Sequence, residues 1–262
     1  MSTEHAMRRR FFRMQLNDQA DARLLMFPFA GGSAAAYQPL LKRMPDDIDV
    51  LVYQMPGHGT RFSEPLCQSV AELIEDICEF LPMLTDKPLY LFGHSLGGRV
   101  AHALCRQLQT LKQALPRMVI MSASRPPDIA NHNPMSHLPD RDFLQRLRIY
   151  DGIPAEILEN DAMMELFLPA IKTDMRVFES YQCEPDRPLM TPVVIWGGAD
   201  DSYSPLQDVV GWNRFFAIQK EFRSWPGGHF YINQSIDAVA KGIVTHVRDS
   251  MERYSMVRGQ VS

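Results

Sequence analysis

The chain predicts an α/β fold, a mostly parallel sheet flanked by helices, on three observations. Short β-type runs alternate with amphipathic helical patterns, the rhythm of parallel βαβ units. With 262 residues, 45% of them apolar, there is material for one large domain with a substantial core. Finally, the apolar run Pro88-Leu89-Tyr90-Leu91-Phe92 passes through Gly93-His94-Ser95-Leu96-Gly97 directly into the small-residue helix start Gly98-Arg99-Val100-Ala101.

Taken in order, strands are expected at 24–29, 49–54, 88–92, 118–121, 192–196 and 221–225. Val70, Leu73, Ile74, Ile77 and Leu81 recur at helical spacing, as do Ile236, Val239, Ala240, Ile243, Val244 and Val247, so both stripes face the core. Ser204-Pro205 reads as an N-cap with a first-turn proline, opening a helix through Asp208, Val209, Trp212 and Phe216. Between about residues 131 and 186 no strand is expected. Phe143, Leu144 and Leu147, then Met163, Met164, Leu166, Phe167, Leu168 and Ile171, form short amphipathic helices broken by Pro139, Pro154 and Pro169. A helical insertion of this kind lies over the strand ends where ligands bind and reads as a lid on a single domain spanning 1–262. Its Met and Phe residues suit either ordinary packing or an acyl channel.

Composition narrows the function. Lys and Arg total 27 against 31 Asp and Glu, a net charge of −4, so no global field draws the chain to nucleic acid or to an anionic membrane. Met7-Arg8-Arg9-Arg10-Phe11-Phe12-Arg13 has no apolar h-region behind it, and no stretch is long enough to span a bilayer, which makes a cytoplasmic protein the expectation. Cys67, Cys78, Cys105 and Cys183 stand at unrelated spacings and read as buried thiols of a reducing compartment.

The chemistry is expected at Ser95. A strand turning abruptly into a helix strains its central residue and needs very small neighbours two before and two after, the places of Gly93 and Gly97. The turn exposes the serine hydroxyl and leaves the Leu96 amide at a helix N-terminus, where developing negative charge is favoured. A serine nucleophile needs a base and a group to orient it, in the order serine, acid, histidine for this architecture. His229, in Pro226-Gly227-Gly228-His229-Phe230 after the last strand, is the base. His94 is inside the elbow, His102 and His246 lie in helices, and His5, His58, His132 and His137 come too early. Gly197-Gly198-Ala199-Asp200-Asp201 offers two acids. Asp201 is preferred as the last residue before the following helix, with Asp200 a water-facing turn residue. Neither acid has His or Cys partners at metal-ligand spacing. Phe29-Ala30-Gly31-Gly32-Ser33 supplies the second oxyanion amide, from Ala30 or alternatively Phe29, and lacks the G-x-G-x-x-G or Walker pattern of a nucleotide loop.

With these pieces, the chain resembles the type II thioesterases that accompany polyketide and nonribosomal peptide synthetases, members of the α/β-hydrolase superfamily. Pro28-Phe29-Ala30-Gly31-Gly32-Ser33 is similar to the family's N-terminal signature, and Pro56-Gly57-His58-Gly59-Thr60-Arg61 with Glu64-Pro65 to its P-G-R-x-x-R…E-P segment. The elbow, Ser122-Ala123-Ser124-Arg125-Pro126-Pro127, Leu168-Pro169 through Asp174 to Tyr181, Gly198 to Asp201 and Gly228-His229 extend the likeness over nearly the whole sequence. The resemblance implies a free-standing hydrolase, with no cofactor of its own, that clears stalled acyl groups from the phosphopantetheine of acyl or peptidyl carrier proteins. His58 stands where an arginine is usual, Gly98-Arg99 replaces a more apolar pair, and His102-Ala103 lacks a common glutamate. Carrier helices are usually acidic, so Arg141, Arg146 and Arg148 read either as carrier contacts or, preferably, as a solvated helix face. Two rivals stay open: a general carboxylesterase or fatty-acid acyl-carrier hydrolase with the same triad, and a catalytically idle binding module.

Overall fold

The computed structural model describes residues 3–13, 19–131, 133–149 and 160–259. Among them, one helix, α1 (Thr3–Arg10), leads into β1 (Phe11–Arg13), and β2 (Ala22–Phe27) and β3 (Ile48–Tyr53) follow. Then come α2 (Val70–Cys78), β4 (Leu89–His94), α3 (Leu96–Thr110) and β5 (Met118–Ser122). The chain continues through α4 (Asp140–Ile149), α5 (Asp161–Ser180), β6 (Leu189–Gly198), β7 (Phe216–Trp225) and α6 (Ile236–Gly259). The seven strands form one sheet in the order β1-β3-β2-β4-β5-β6-β7, parallel except for β1.

Strands covered on both faces must be apolar throughout, and β2, β3, β4 and β5 are buried along their full lengths. Alternation then sorts their side chains into two cores: Leu25 and Phe27 join α2, α3 and the β5–β6 insertion on one face, while Leu24 and Met26 join α6 on the other. The two predicted helical stripes bury as expected, with Leu81, Ile236 and Val244 half-buried at their margins. Ser69 caps α2 by accepting from the Glu72 amide, and Glu72 in turn accepts from the amide of Gln68.

After β2 the chain adds β3 on one side and returns to place β4 on the other. The carboxyl ends of β2 and β4 therefore flank a topological switch point, where an open α/β sheet leaves a crevice. The loop Pro28–Gly32 and Ser95 emerge there.

Several expectations are corrected. β1 went unforeseen because three residues carry too little pattern; it is held by pairing with β3 and by Arg10 to Asp76 and Arg9 to Glu64. The polar arm around His5 is in fact part of α1. Ser204 is not a cap: Pro205 takes that position, the helix is a single turn (Leu206–Val209) followed by a 3-10 segment (Val210–Arg214), and Phe216 begins β7. Pro169 lies inside α5 rather than breaking it, because Met164 and Leu168 before it and Ile171 and Met175 after it are buried in one cluster and outweigh the lost hydrogen bond. Pro154 falls outside the described residues. All four cysteines are free, but only Cys105 is buried; the other three are half-buried. Among the described residues no helix is long and apolar enough to cross a membrane, and no His/Cys/Asp/Glu cluster suits a metal ion.

Candidate active site

Ser95 sits between β4 and α3 with φ 56° and ψ −116°, a conformation that side-chain-bearing residues rarely adopt. The strain is imposed by close approach. A Cβ on Gly93 would collide with the carbonyl of Gly97, and one on Gly97 would collide with the carbonyl of Phe27, so α3 starts against the backbone of both β4 and the β2 exit. The Ser95 amide donates to the carbonyl of Ser122 at 2.8 Å, which ties the turn to β5. Leu96 is the first residue of α3, so its N–H has no acceptor within the helix.

Asp201 and His229 arrive from the neighbouring strand ends. The amide of Ala199 donates to the carbonyl of Trp225 and that of Asp200 to the carbonyl of Gly227, lacing the loop after β6 to the loop after β7. His229 Nδ1 donates to Asp201 Oδ2 at 2.7 Å, and its Nε2 stands 3.0 Å from Ser95 Oγ. Asp201 Oδ1 accepts from the amides of Tyr203 and Ser204 at 2.9 and 2.8 Å. Burial works to raise the Asp201 pKa, but the His229 ring and the two amides outweigh it and hold the carboxyl below the ordinary carboxylate value. With Nδ1–H committed to the carboxylate, Nε2 presents its lone pair to the serine hydroxyl. Asp200, one residue earlier, is exposed.

The Phe29–Gly32 segment is a β-turn closed by the Gly32 amide on the carbonyl of Phe29 at 2.9 Å, with Gly31 at φ +75°, the value a type II turn needs at its third residue. That bond tethers the Phe29 carbonyl. The N–H of Ala30, on the opposite side of the same trans peptide, points away from the turn. The Gly31 amide donates 2.7 Å to Asp174 Oδ2 on α5, and Asp174 also lies 2.9 Å from Nε2 of His58.

His94 is fully buried, donating to or accepting from Ser122 Oγ at 2.9 Å, and Ser122 Oγ meets the Tyr231 hydroxyl at 2.5 Å. Burial, then the neighbouring His229, hold the His94 pKa well below the usual imidazole value, so it is neutral beside the His229 ring 5.3 Å away. His102 is likewise driven down to about 3 by burial; it packs among Trp212, Phe215 and Phe216.

Residues 22–250 match the model of the Thioesterase domain family. The chain belongs to that family. Thioesterase PikA5 of Streptomyces venezuelae is 32% identical over 226 residues, 86% of this chain and 80% of its own length. Among solved structures, YbtT, a type II thioesterase from the yersiniabactin NRPS/PKS pathway, superposes with TM-score 0.83 at 29% identity, covering 92% of this thioesterase and 98% of YbtT. ClbQ from the colibactin NRPS/PKS pathway does so with TM-score 0.82 at 28% identity, covering 88% and 99%.

Sequence reading missed the contribution of α5 to the site. Asp174 lies 143 positions from Gly31, and the only local signal was its place in a pattern shared with the family. The departure at Gly98-Arg99 has a packing cause. A Cβ on Gly98 would stand 2.6 Å from the Ser124 side chain, and Arg99 is buried with its guanidinium on the carbonyls of Arg125, Phe178 and Tyr181. Burial and the adjacent Arg125 lower the Arg99 pKa to about 10.

Proposed function

We propose that this family member is an editing thioesterase that hydrolyses acyl groups from the phosphopantetheine thioester of acyl or peptidyl carrier proteins in polyketide or nonribosomal peptide assembly. The observation that carries the reading is a buried hydroxyl, imidazole and carboxylate in hydrogen-bond series at a strained strand-to-helix turn. His229 Nε2 takes the Ser95 proton as Oγ attacks the thioester carbonyl. The tetrahedral oxyanion rests on the amides of Ala30 and Leu96. Collapse breaks the C–S bond, the pantetheine sulfur leaves with the proton from Nε2, and an acyl-serine remains. Water then gives its proton to Nε2, attacks the acyl carbon and releases the carboxylic acid with Ser95 restored. Asp201 holds the tautomer and stabilises the imidazolium. The reaction consumes thioester and water and balances without a cofactor.

Helix α5, within the β5–β6 insertion, serves as the lid. Met164, Leu168, Ile171 and Met175 of α5 share one apolar cluster with Leu96, and Ser95 and His229 are only 5% and 6% exposed beneath it. The partner is a carrier protein. Arg141 and Arg148 on α4 are exposed and available to an acidic helix, whereas Arg146 is turned toward the carbonyl of Pro134.

The test is acyl release from an acetyl-loaded carrier protein beside acetyl-pantetheine and p-nitrophenyl acetate, for wild type and Ser95→Ala. Faster, Ser95-dependent release from the carrier is the expected result. Preference for the free esters would make the protein a general esterase, and full activity in Ser95→Ala would remove the serine from the mechanism.

A further inference from the structure

Asp174 and His58 meet at the Phe29–Gly32 turn. Asp174 is 5% exposed on α5, and its Oδ2 receives both the Gly31 amide at 2.7 Å and the approach of His58 Nε2 at 2.9 Å. The second contact falls outside hydrogen-bond geometry and is an ion pair when the ring is protonated. His58 is equally buried, at 5%, and its other nitrogen, Nδ1, lies 2.9 Å from the carbonyl of Pro56. A carbonyl can only accept, so Nδ1 carries a proton. In a neutral ring Nε2 would then turn a lone pair toward a carboxylate. Both ring nitrogens meet acceptors, which is the environment of an imidazolium.

Other charges nearby are already engaged. Arg61 and Glu64 of the same loop pair with each other, and Arg61 also pairs with Asp76 of α2. Arg9 and Arg10 of α1 reach Glu64 and Asp76. Lys172 of α5 is turned to Asp140 and the carbonyl of Leu138. Cys67 has its thiol pushed up to about 12 by burial and nearby carboxylates, so it is neutral.

We propose that protonated His58 and Asp174 are positioning residues that hold the Gly31 amide, and through it the Phe29–Ala30 peptide, in the orientation that presents the Ala30 N–H to the oxyanion. The inference rests on the reading of Ala30 as an oxyanion donor. The turn bond from Gly32 to the Phe29 carbonyl and the Asp174 bond to Gly31 together fix the two successive peptides that carry Ala30. When His58 loses its proton, its lone pair opposes the Asp174 carboxylate, the clamp loosens, and transition-state stabilisation falls while substrate binding is little changed. Burial works to lower the His58 pKa, but the Asp174 carboxylate outweighs it and sets it above 6.5. The clamp is therefore intact below that raised value and lost as pH rises through it. An arginine at this position would keep the charge at every pH.

The experiment is kcat and KM against pH on an acetyl-loaded carrier protein for wild type, His58→Arg, His58→Gln and Asp174→Asn, with Ser95→Ala as the blank for uncatalysed hydrolysis. Wild type should show an alkaline decline in kcat that His58→Arg lacks. His58→Gln and Asp174→Asn should each have kcat lowered roughly tenfold below the decline and converge on wild type above it, with KM within a few-fold. An alkaline limb shared by wild type and both His58 variants, or wild-type kcat in Asp174→Asn below the decline, overturns the proposal. If His58→Arg does not fold, the convergence of His58→Gln with wild type decides the same question. Failure of the triad reading is distinct: Ser95→Ala would then hydrolyse thioester like wild type, whereas failure of the clamp leaves Ser95→Ala inactive.

Discussion

The elbow at Ser95 and the turn at Ala30, the two halves of the proposed site, are built differently. The elbow is local: Gly93 and Gly97 remove the atoms that would block its backbone, and Ser95 alone separates the end of β4 at His94 from the start of α3 at Leu96. The turn is half local. Its type II shape comes from Gly31 and the Gly32 bond, but its hold on the rest of the molecule is a carboxylate from α5 and an imidazole from the β3 loop. Ser95 is thus fixed by chain geometry, while the proposed oxyanion amide of Ala30 sits in a turn held through Asp174 and His58, which join α5 to the loop after β3.

That contrast is broken most severely at the triad. Asp201→Asn should keep the fold and lower kcat about 10⁴-fold, read by steady-state acyl release, because the amide favours the wrong tautomer of His229. Gly97→Ala comes next. With the Phe27 backbone in the way of its Cβ, the variant should lose about 3 kcal/mol or more in a denaturant melt, and activity with it. Gly31→Ala should be milder: a Cβ there stands 2.7 Å from Ile171 Cγ1 at a left-handed φ, so kcat should fall about tenfold with KM little changed and the fold retained. The smallest effect is on acid stability. Because the folded pKa of Asp201 is held below 3.8, the stability it contributes is present above that ordinary value and lost as pH falls through the lower folded one. Wild type and Asp201→Asn should therefore differ more in thermal midpoint at neutral pH than below pH 3.8, with the gap closing on acidification.

Much of this architecture was legible because it is periodic or contiguous. β2 through β5 appear as apolar runs within two residues of their observed bounds, and the Gly93–Gly97 spacing marks the turn because its steric cause is local. Asp201 and His229 could be nominated from their places after β6 and β7. The hydrogen bonds that unite them with Ser95 span 28 and 134 positions and are a product of the fold. What escaped was of two kinds. β1 is too short to carry a pattern, and the Pro169 turn of α5 is sustained by packing that overrides the local preference of proline. Asp174 and His58 were visible as residues, yet the series Gly31, Asp174, His58 has no sequence signature.

An acyl-enzyme on Ser95 is the intermediate on which the proposed reaction depends. It is tested most directly by rapid quenching after mixing the enzyme with acetyl-loaded carrier protein, followed by peptide mass spectrometry in wild type, Asp201→Asn and Ser95→Ala. The account predicts one acetyl group on the peptide containing Ser95, formed and lost at rates consistent with turnover and absent in Ser95→Ala. Acetyl release at the wild-type rate in Ser95→Ala, or an acetyl group accumulating on another residue at the rate of turnover, would contradict it.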